Sequence, residues 1–191
     1  MIFAIGISSQ ADSIFYGSLS KDGKSPVKNY LSLTRDQNQP TACDASWAFA
    51  PTTAMAIQFN YLLENKFPQV VLSPQMLMNC HSNQLNCSYK THQPKMLDVL
   101  AQLKNMGVSE EGCNNYYANT SKDCSALNKC KDCSPDMSDI HKDGKCTAKD
   151  YSNYKLKDFG QITSDKPNPQ KQMELYQKIL DALKSKGPVV C

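Results

Sequence analysis

The sequence predicts an α+β domain, mostly helical and held together by disulfides. Three observations carry that reading: four segments with apolar residues at helical spacing, a β-branched apolar run at Val189-Val190, and nine cysteines among 191 residues. That length matches one ordinary domain with its own core. Cytosolic chains seldom keep so many cysteines unless they bind metal or use thiols in catalysis, so the count favours an oxidising compartment. An odd number leaves one cysteine as a free thiol, an intermolecular bond or half of a pair outside the sequence. A net charge of +3, from 21 basic and 18 acidic residues, is too weak for a nucleic-acid protein. No apolar run reaches the roughly 18–20 residues of a membrane span.

The elements follow in order. The apolar start Met1–Ile7 and the small residues Ser8-Ser9-Gln10-Ala11 are weakly signal-like, without a basic region in front. From there to about Lys28 the chain is polar and Gly/Ser-rich, and reads as an irregular extension. A long helix is predicted from Ala45 to about Leu63, with Trp47, Met55, Phe59 and Leu62 at helical spacing and Asp44 as its cap. Pro51 breaks that pattern. In the second turn it removes a backbone donor and meets the Trp47 carbonyl, a conflict of about 3 kcal/mol or a kink.

Ser73-Pro74 opens a short second helix as cap and first helical residue, carrying Met76, Leu77 and Met78 towards Cys80. A third helix, Pro94 to Met106, buries Met96, Leu97, Leu100 and Leu103 and stops at Gly107. The stretch from Cys113 to Cys146 is polar and aperiodic, so cross-links must replace a core there. A fourth helix has Asn168 as cap, Pro169 at its start, one face of Met173, Tyr176, Ile179, Leu180 and Leu183, and Gly187 at its end. Val189-Val190 then begins a strand with no visible partner. Two sequons, Asn86-Cys87-Ser88 and Asn119-Thr120-Ser121, are compatible with the secretory route. No internal repeat is visible.

The chemistry concentrates in Gln37-Asn38-Gln39-Pro40-Thr41-Ala42-Cys43-Asp44-Ala45-Ser46-Trp47-Ala48-Phe49-Ala50. This run resembles the active-site segment of papain-like cysteine peptidases. Leu72-Ser73-Pro74-Gln75 with Asn79-Cys80 resembles the family's second-helix segment, and Gly187-Pro188-Val189 the strand entering its second lobe. Asn29-Tyr30-Leu31-Ser32, the three residues inserted after Gln37, and Cys113-Asn114-Asn115-Tyr116 resemble the cathepsin X/Z subgroup. The resemblance covers roughly residues 25–191. It implies a papain-like fold, here the helical, disulfide-rich left lobe with only the first strand of the right-lobe barrel. The domain expectation is an extension at 1–24, the left lobe at 25–187 and the start of a missing right lobe at 188–191.

The family's catalytic cysteine falls on Ser46. In active members that thiol sits at a helix N-terminus beside a histidine, which yields a standing thiolate. A serine hydroxyl needs a general base at the moment of attack. The family draws its histidine and the orienting asparagine from the second lobe. His81, His92 and His141 do not lie in the matching motif and read as ordinary surface histidines. Gln37 matches the glutamine that completes the oxyanion hole with the backbone N–H at position 46, a turn glutamine being the plain alternative. Asn38 stands where the subgroup places a histidine for the substrate's C-terminal carboxylate. Tyr89 and Lys90 replace two glycines where substrate backbone pairs closely, and with Asn38 and Trp47 they make up the substrate-groove positions.

Cys130-Lys131-Asp132-Cys133, with Cys124 and Cys146, could form a four-thiolate zinc site. The resemblance instead implies disulfides Cys43–Cys87, Cys80–Cys124, Cys113–Cys130 and Cys133–Cys146. Cys191 is left unpaired. No metal and no cofactor are expected. The leading expectation is an inactive, truncated cathepsin X/Z-like homologue serving as a structural or binding module. The alternative is a fragment of a longer peptidase, cysteine-type or serine-substituted, with proteolytic or carboxypeptidase activity; a third reading is a short extracellular binding domain. Expected partners are a second copy or a complementary protein at the lobe face near Trp47 and the apolar tail. A peptide substrate is expected only if a second lobe is supplied. The expected location is the secretory pathway, lysosomal or extracellular.

Overall fold

The structure, a computed structural model, describes residues 2–6, 30–64, 68–81, 87, 94–119, 123–134, 145–163, 169–185 and 187–190. It divides into two compact units. One comprises Arg35–Phe49 and Val71–Lys155; the other comprises Met1–Thr34, Ala50–Val70 and Leu156–Cys191. The elements in chain order are β1 (Ile2–Gly6), α1 (Ser46–Leu62), α2 (Pro74–Cys80), α3 (Met96–Asn105), α4 (Ala126–Lys129), β2 (Lys131–Ser134), β3 (Lys145–Ala148), β4 (Asp158–Ile162), α5 (Pro169–Ser185) and β5 (Val189–Val190).

In the first unit, α2 starts as the sequence predicts. The Ser73 hydroxyl accepts from the Met76 N–H at 3.1 Å and donates to the Asn114 carbonyl at 2.6 Å. Met76, Leu77 and Met78 are buried with Leu72, Val99, Leu100, Leu103 and Val108, and these side chains form the unit's core. Helix α3 starts later than Pro94, and Lys95 flanks it without a capping side chain. Val99 takes a fully buried place on its inner face, whereas Met96 and Leu97 are only half-buried. Gly107, at φ +76°, ends this segment as expected. A Cβ there would lie 2.7 Å from the Tyr154 carbonyl oxygen, in the crossing where Val108 and Tyr154 exchange bonds of 2.8 and 3.0 Å.

The cysteine-rich stretch has no buried residue on α4, and β3 is exposed throughout. Covalent and polar ties hold it instead. The Asn128 carbonyl accepts from Asn114 Nδ2 at 2.6 Å and Asn79 Nδ2 at 3.2 Å. Four disulfides join Cys43–Cys87, Cys80–Cys124, Cys113–Cys130 and Cys133–Cys146, the pairs that the resemblance implies. The last of these links directly opposed residues of the β2–β3 hairpin. All four sulfurs of the zinc alternative, on Cys124, Cys130, Cys133 and Cys146, are therefore half-cystines with no thiolate to offer a metal.

In the second unit, Ala54, Met55, Ala56, Gln58 and Asn60 of α1 are buried. Asn60 brackets Val70, accepting its N–H at 2.7 Å and donating to its carbonyl at 3.1 Å. The helix runs through a buried Pro51 and continues to Leu62, so the proline does not end it. The helix begins one residue later than expected, at Ser46. The Ala45 carbonyl accepts from the N–H groups of Ala48 and Phe49, so Ala45 flanks the helix and brings no capping oxygen.

The sheet corrects two expectations. Residues 2–6 are a strand rather than part of an irregular extension, and Val189-Val190 does have a partner. Strand β1 lies centrally in the order β4-β1-β5, antiparallel to both, with Phe3 opposite Val190 and Gly6 opposite Asp158. The β-branched and aromatic run Ile2-Phe3-Ala4-Ile5 suits a strand, paired on both sides at Phe3 and Ala4. On α5 the predicted face is half-buried towards the C-terminal end, at Ile179, Leu180 and Leu183, while Met173 and Tyr176 are 69% and 57% exposed; the buried residue there, Ala182, lies outside that face. Gly187, at φ +115°, donates to the Ala182 carbonyl and closes the helix. Asn168 lies outside the described residues. Among those described, no helix is long and apolar enough to cross a membrane.

Candidate active-site segment

The segment Arg35–Phe49 is held from both ends. It opens with a turn in which the Asp36 carboxylate accepts from the Asn38 N–H at 2.8 Å and the Asp36 carbonyl from the Gln39 N–H at 3.3 Å. Gln37 is gripped twice. Its Oε1 accepts the Ala45 N–H at 3.0 Å, and its carbonyl accepts the Tyr116 hydroxyl at 2.7 Å. The first contact sets the Gln37 amide beside the start of α1. Ser46 follows as the first helical residue and is exposed, between buried Ala45 and buried Trp47. The helix N-terminus favours negative charge at that point.

An ion pair fixes the start of the segment. Arg35 Nη1 donates to Glu111 Oε2 at 2.8 Å and to the Leu72 carbonyl at 3.1 Å. Glu111 Oε1 accepts the Tyr116 N–H at 2.9 Å. The guanidinium lies 5.1 Å from the Phe49 ring centre, and Phe49 meets Tyr116 edge-on at 4.7 Å. Burial pushes the Glu111 carboxyl above its ordinary value, against the opposing pull of the Tyr116 N–H and Arg35. Burial likewise lowers Arg35, against the attraction of Glu111. For both partners the loss of water outweighs the attraction, as is common for buried ion pairs.

One expected reading changes, that of His81. Trp47, expected along a substrate groove, is 5% exposed and packs against His81 with ring centres 5.3 Å apart. His81 is not a surface histidine. It caps the C-terminal end of α2, is 5% exposed, and its Nδ1 lies 2.7 Å from Gln102 Oε1, while Gln102 Nε2 donates to the Leu77 carbonyl. The apolar run of α2 carries it into the core. Asn38 is exposed at the turn. Tyr89, Lys90, His92, His141 and Cys191 lie outside the described residues.

Arg35, Glu111 and Tyr116, which hold Gln37, carry no local signature, since they are drawn from distant parts of the chain. A cleft of about 360 Å³ elsewhere in the same unit was equally unforeseen; it is lined by Glu110, Lys131, Asp132, Lys149, Asp150 and Tyr151 among others. At its edge Lys149 pairs with Asp132 at 3.2 Å. The Tyr154 hydroxyl donates to Glu110 at 2.6 Å and is pushed up to about 12 by burial and that carboxylate.

The chain is similar to known proteins. A cathepsin Z of Onchocerca volvulus is 30% identical over 164 residues, which make up 85% of this chain and 45% of that protein. The chain thus spans less than half the length of this relative. Among solved structures, digestive procathepsin L 3 of Tenebrio molitor larval midgut is 23% identical over 63% of this chain and 38% of its own, with a TM-score of 0.37. Residues 20–191 match the papain family of cysteine proteases, and with that match over nearly the whole sequence the chain belongs to this family.

Proposed function

We propose that this chain is a cathepsin X/Z-like papain homologue with serine at the nucleophile position, a structural or peptide-binding module that does not hydrolyse peptides. The observation that supports this reading is Ser46 itself: an exposed hydroxyl at the first position of α1, next to a residue held by the Gln37 side chain. A hydroxyl there gives no standing thiolate and has to lose its proton to a base during attack. Among the described residues the histidine is His81, buried and engaged with Gln102. Gln37 and the position-46 N–H are then a pair of donors suited to a peptide carbonyl rather than to catalysis. The four disulfides fit a secretory, lysosomal or extracellular setting. Exposed Met173 and Tyr176 on α5 are the apolar side chains through which a second copy or a complementary protein would associate.

The test is release of residues from a peptide library by the purified chain. The expected result is none above buffer. Release that disappears in Ser46→Ala would overturn the proposal. A second reading rests on coverage: the chain spans 45% of its cathepsin Z relative, and a peptidase of that length would supply histidine and asparagine from a further lobe. In that reading Ser46 defines a serine-type variant. A longer transcript encoding a histidine strand, with activity lost in Ser46→Ala, would favour it.

A further inference from the structure

Among the described residues the four disulfides are not equally open to attack. Cys43 and Cys130 are 0% and 3% exposed, which covers one end of Cys43–Cys87 and one end of Cys113–Cys130. Cys80 is half-buried at the end of α2, and the sulfur of its partner Cys124 lies 3.9 Å from Met106 Sδ. The fourth bridge differs. Cys133 and Cys146 are both exposed. Thiol–disulfide exchange needs access to a sulfur, and exposed bridges are the labile ones.

The surroundings of this bridge make its opening local. Cys133 and Cys146 stand directly opposite each other in the β2–β3 ladder, with Cα atoms 4.1 Å apart. Strand β3 is exposed throughout, and on β2 Asp132 and Cys133 are exposed and Lys131 half-buried. Unfastening the hairpin therefore uncovers no buried apolar side chain, the condition for a low-cost local opening. Its base is held separately. The Lys131 N–H donates to the Cys113 carbonyl at 3.0 Å and the Lys149 N–H to the Cys130 carbonyl at 3.1 Å, beside the Cys113–Cys130 bridge. The Cys133–Cys146 bond also closes the shortest loop, with a sequence separation of 13 against 17, 44 and 44, so it restrains the unfolded chain least.

We propose that Cys133–Cys146 is a thiol-exchange site, opened by a soluble dithiol while the other three bridges and the fold stay in place. One thiolate of the dithiol attacks a sulfur of the bridge, forming a mixed disulfide as the Cys133–Cys146 bond breaks. The second thiolate attacks the mixed disulfide and releases the first cysteine. The dithiol leaves as a disulfide, two electrons pass to Cys133 and Cys146, and the two protons of the dithiol end on their thiols. The exchange reaches the cleft of about 360 Å³, whose lining includes Lys131, Asp132 and Lys149 from the base of the same hairpin. The proposal does not depend on whether Ser46 is catalytic.

The test is a titration of the full chain with mixtures of reduced and oxidised dithiothreitol, each quenched in acid, alkylated and peptide-mapped so that Cys191 is scored separately. The expected result is that Cys133 and Cys146 are reduced together, at a ratio of reduced to oxidised reagent about tenfold or more below that needed for the next bridge. In that single-bridge state amide exchange at Asp132 and Thr147 rises, while Leu100 and Leu103 stay protected. The double change Cys133→Ala with Cys146→Ala removes the first step and leaves the other bridges titrating where they did; should that variant not fold, the wild-type map decides alone. Opening of all four bridges together, or of Cys80–Cys124 first, overturns the proposal.

Discussion

Tyr116 donates its hydroxyl to the main-chain carbonyl of Gln37 at 2.7 Å, across 79 positions of sequence. Gln37 in turn accepts the N–H of Ala45 through its side chain. One phenol therefore restrains the residue that faces the start of α1. Tyr116→Phe removes that bond and keeps the edge contact with Phe49. The expected cost is about 0.5–1.5 kcal/mol, as for a single hydrogen bond. Amide exchange at Ala45 should rise more than that at Val99, deep in α3. Equal changes at both amides would mean that Tyr116 acts on the whole unit and not on Gln37.

The Arg35–Glu111 pair makes a second prediction, with a sign that can be checked. The side chains are 16% and 22% exposed, and breaking a buried pair leaves one charge uncompensated. Glu111→Gln should therefore cost about 3 kcal/mol, whereas the double change Arg35→Met with Glu111→Leu should cost less. Burial raises the Glu111 carboxyl, so between the unfolded value and the higher folded value the native state binds more protons. The stability contributed by this group is complete below the unfolded value and is lost as pH rises through the folded one. Urea unfolding of wild type and Glu111→Gln from pH 4 upwards should show wild type's advantage shrinking over that window. An advantage that grows with pH would show that Arg35 dominates the pair.

How far this could be read from the sequence depended on whether the signal was local. Ser73-Pro74 announces α2 because a cap and an N1 proline act within one turn, and Gly107 announces a stop because a φ of +76° favours glycine. Strand β4 carries no such mark: Asp158-Phe159-Gly160-Gln161-Ile162 contains two poor strand formers, and it pairs with β1 from the other end of the chain. The site divides the same way. Ser46 and Gln37 are legible as a resemblance within one short segment. The burial of His81 was not, because the ring's partners, Trp47 and Gln102, are remote in sequence.

Gly107 makes a third prediction, on folding. A methyl group there would meet the Tyr154 carbonyl oxygen at 2.7 Å, which is backbone and unable to swing away, in a conformation that side chains rarely adopt. Gly107→Ala should cost at least about 1–3 kcal/mol. Exchange at Val108 and Tyr154, which bond to each other, should accelerate first. A neutral effect in thermal melts would mean that the α3 exit can rearrange.

Ser46→Cys is the sharpest probe of the helix start. A thiol at the first position of α1 gains the favourable field of the helix, worth 0.3 to about 1 kcal/mol, or roughly half a unit below the ordinary value of about 8.5. A histidine beside it would take it several units further down, to the range where catalytic thiolates stand. His81, held by Gln102 and covered by Trp47, is in no position to do this without unpacking the core. The pH dependence of alkylation at position 46, followed by peptide mapping so that Cys191 is scored separately, should give a midpoint near 8. Peptide hydrolysis should remain absent. A midpoint below about 6, or hydrolysis appearing with this single change, would show that a histidine of the chain reaches Ser46 and that the protein is an enzyme one substitution away from activity.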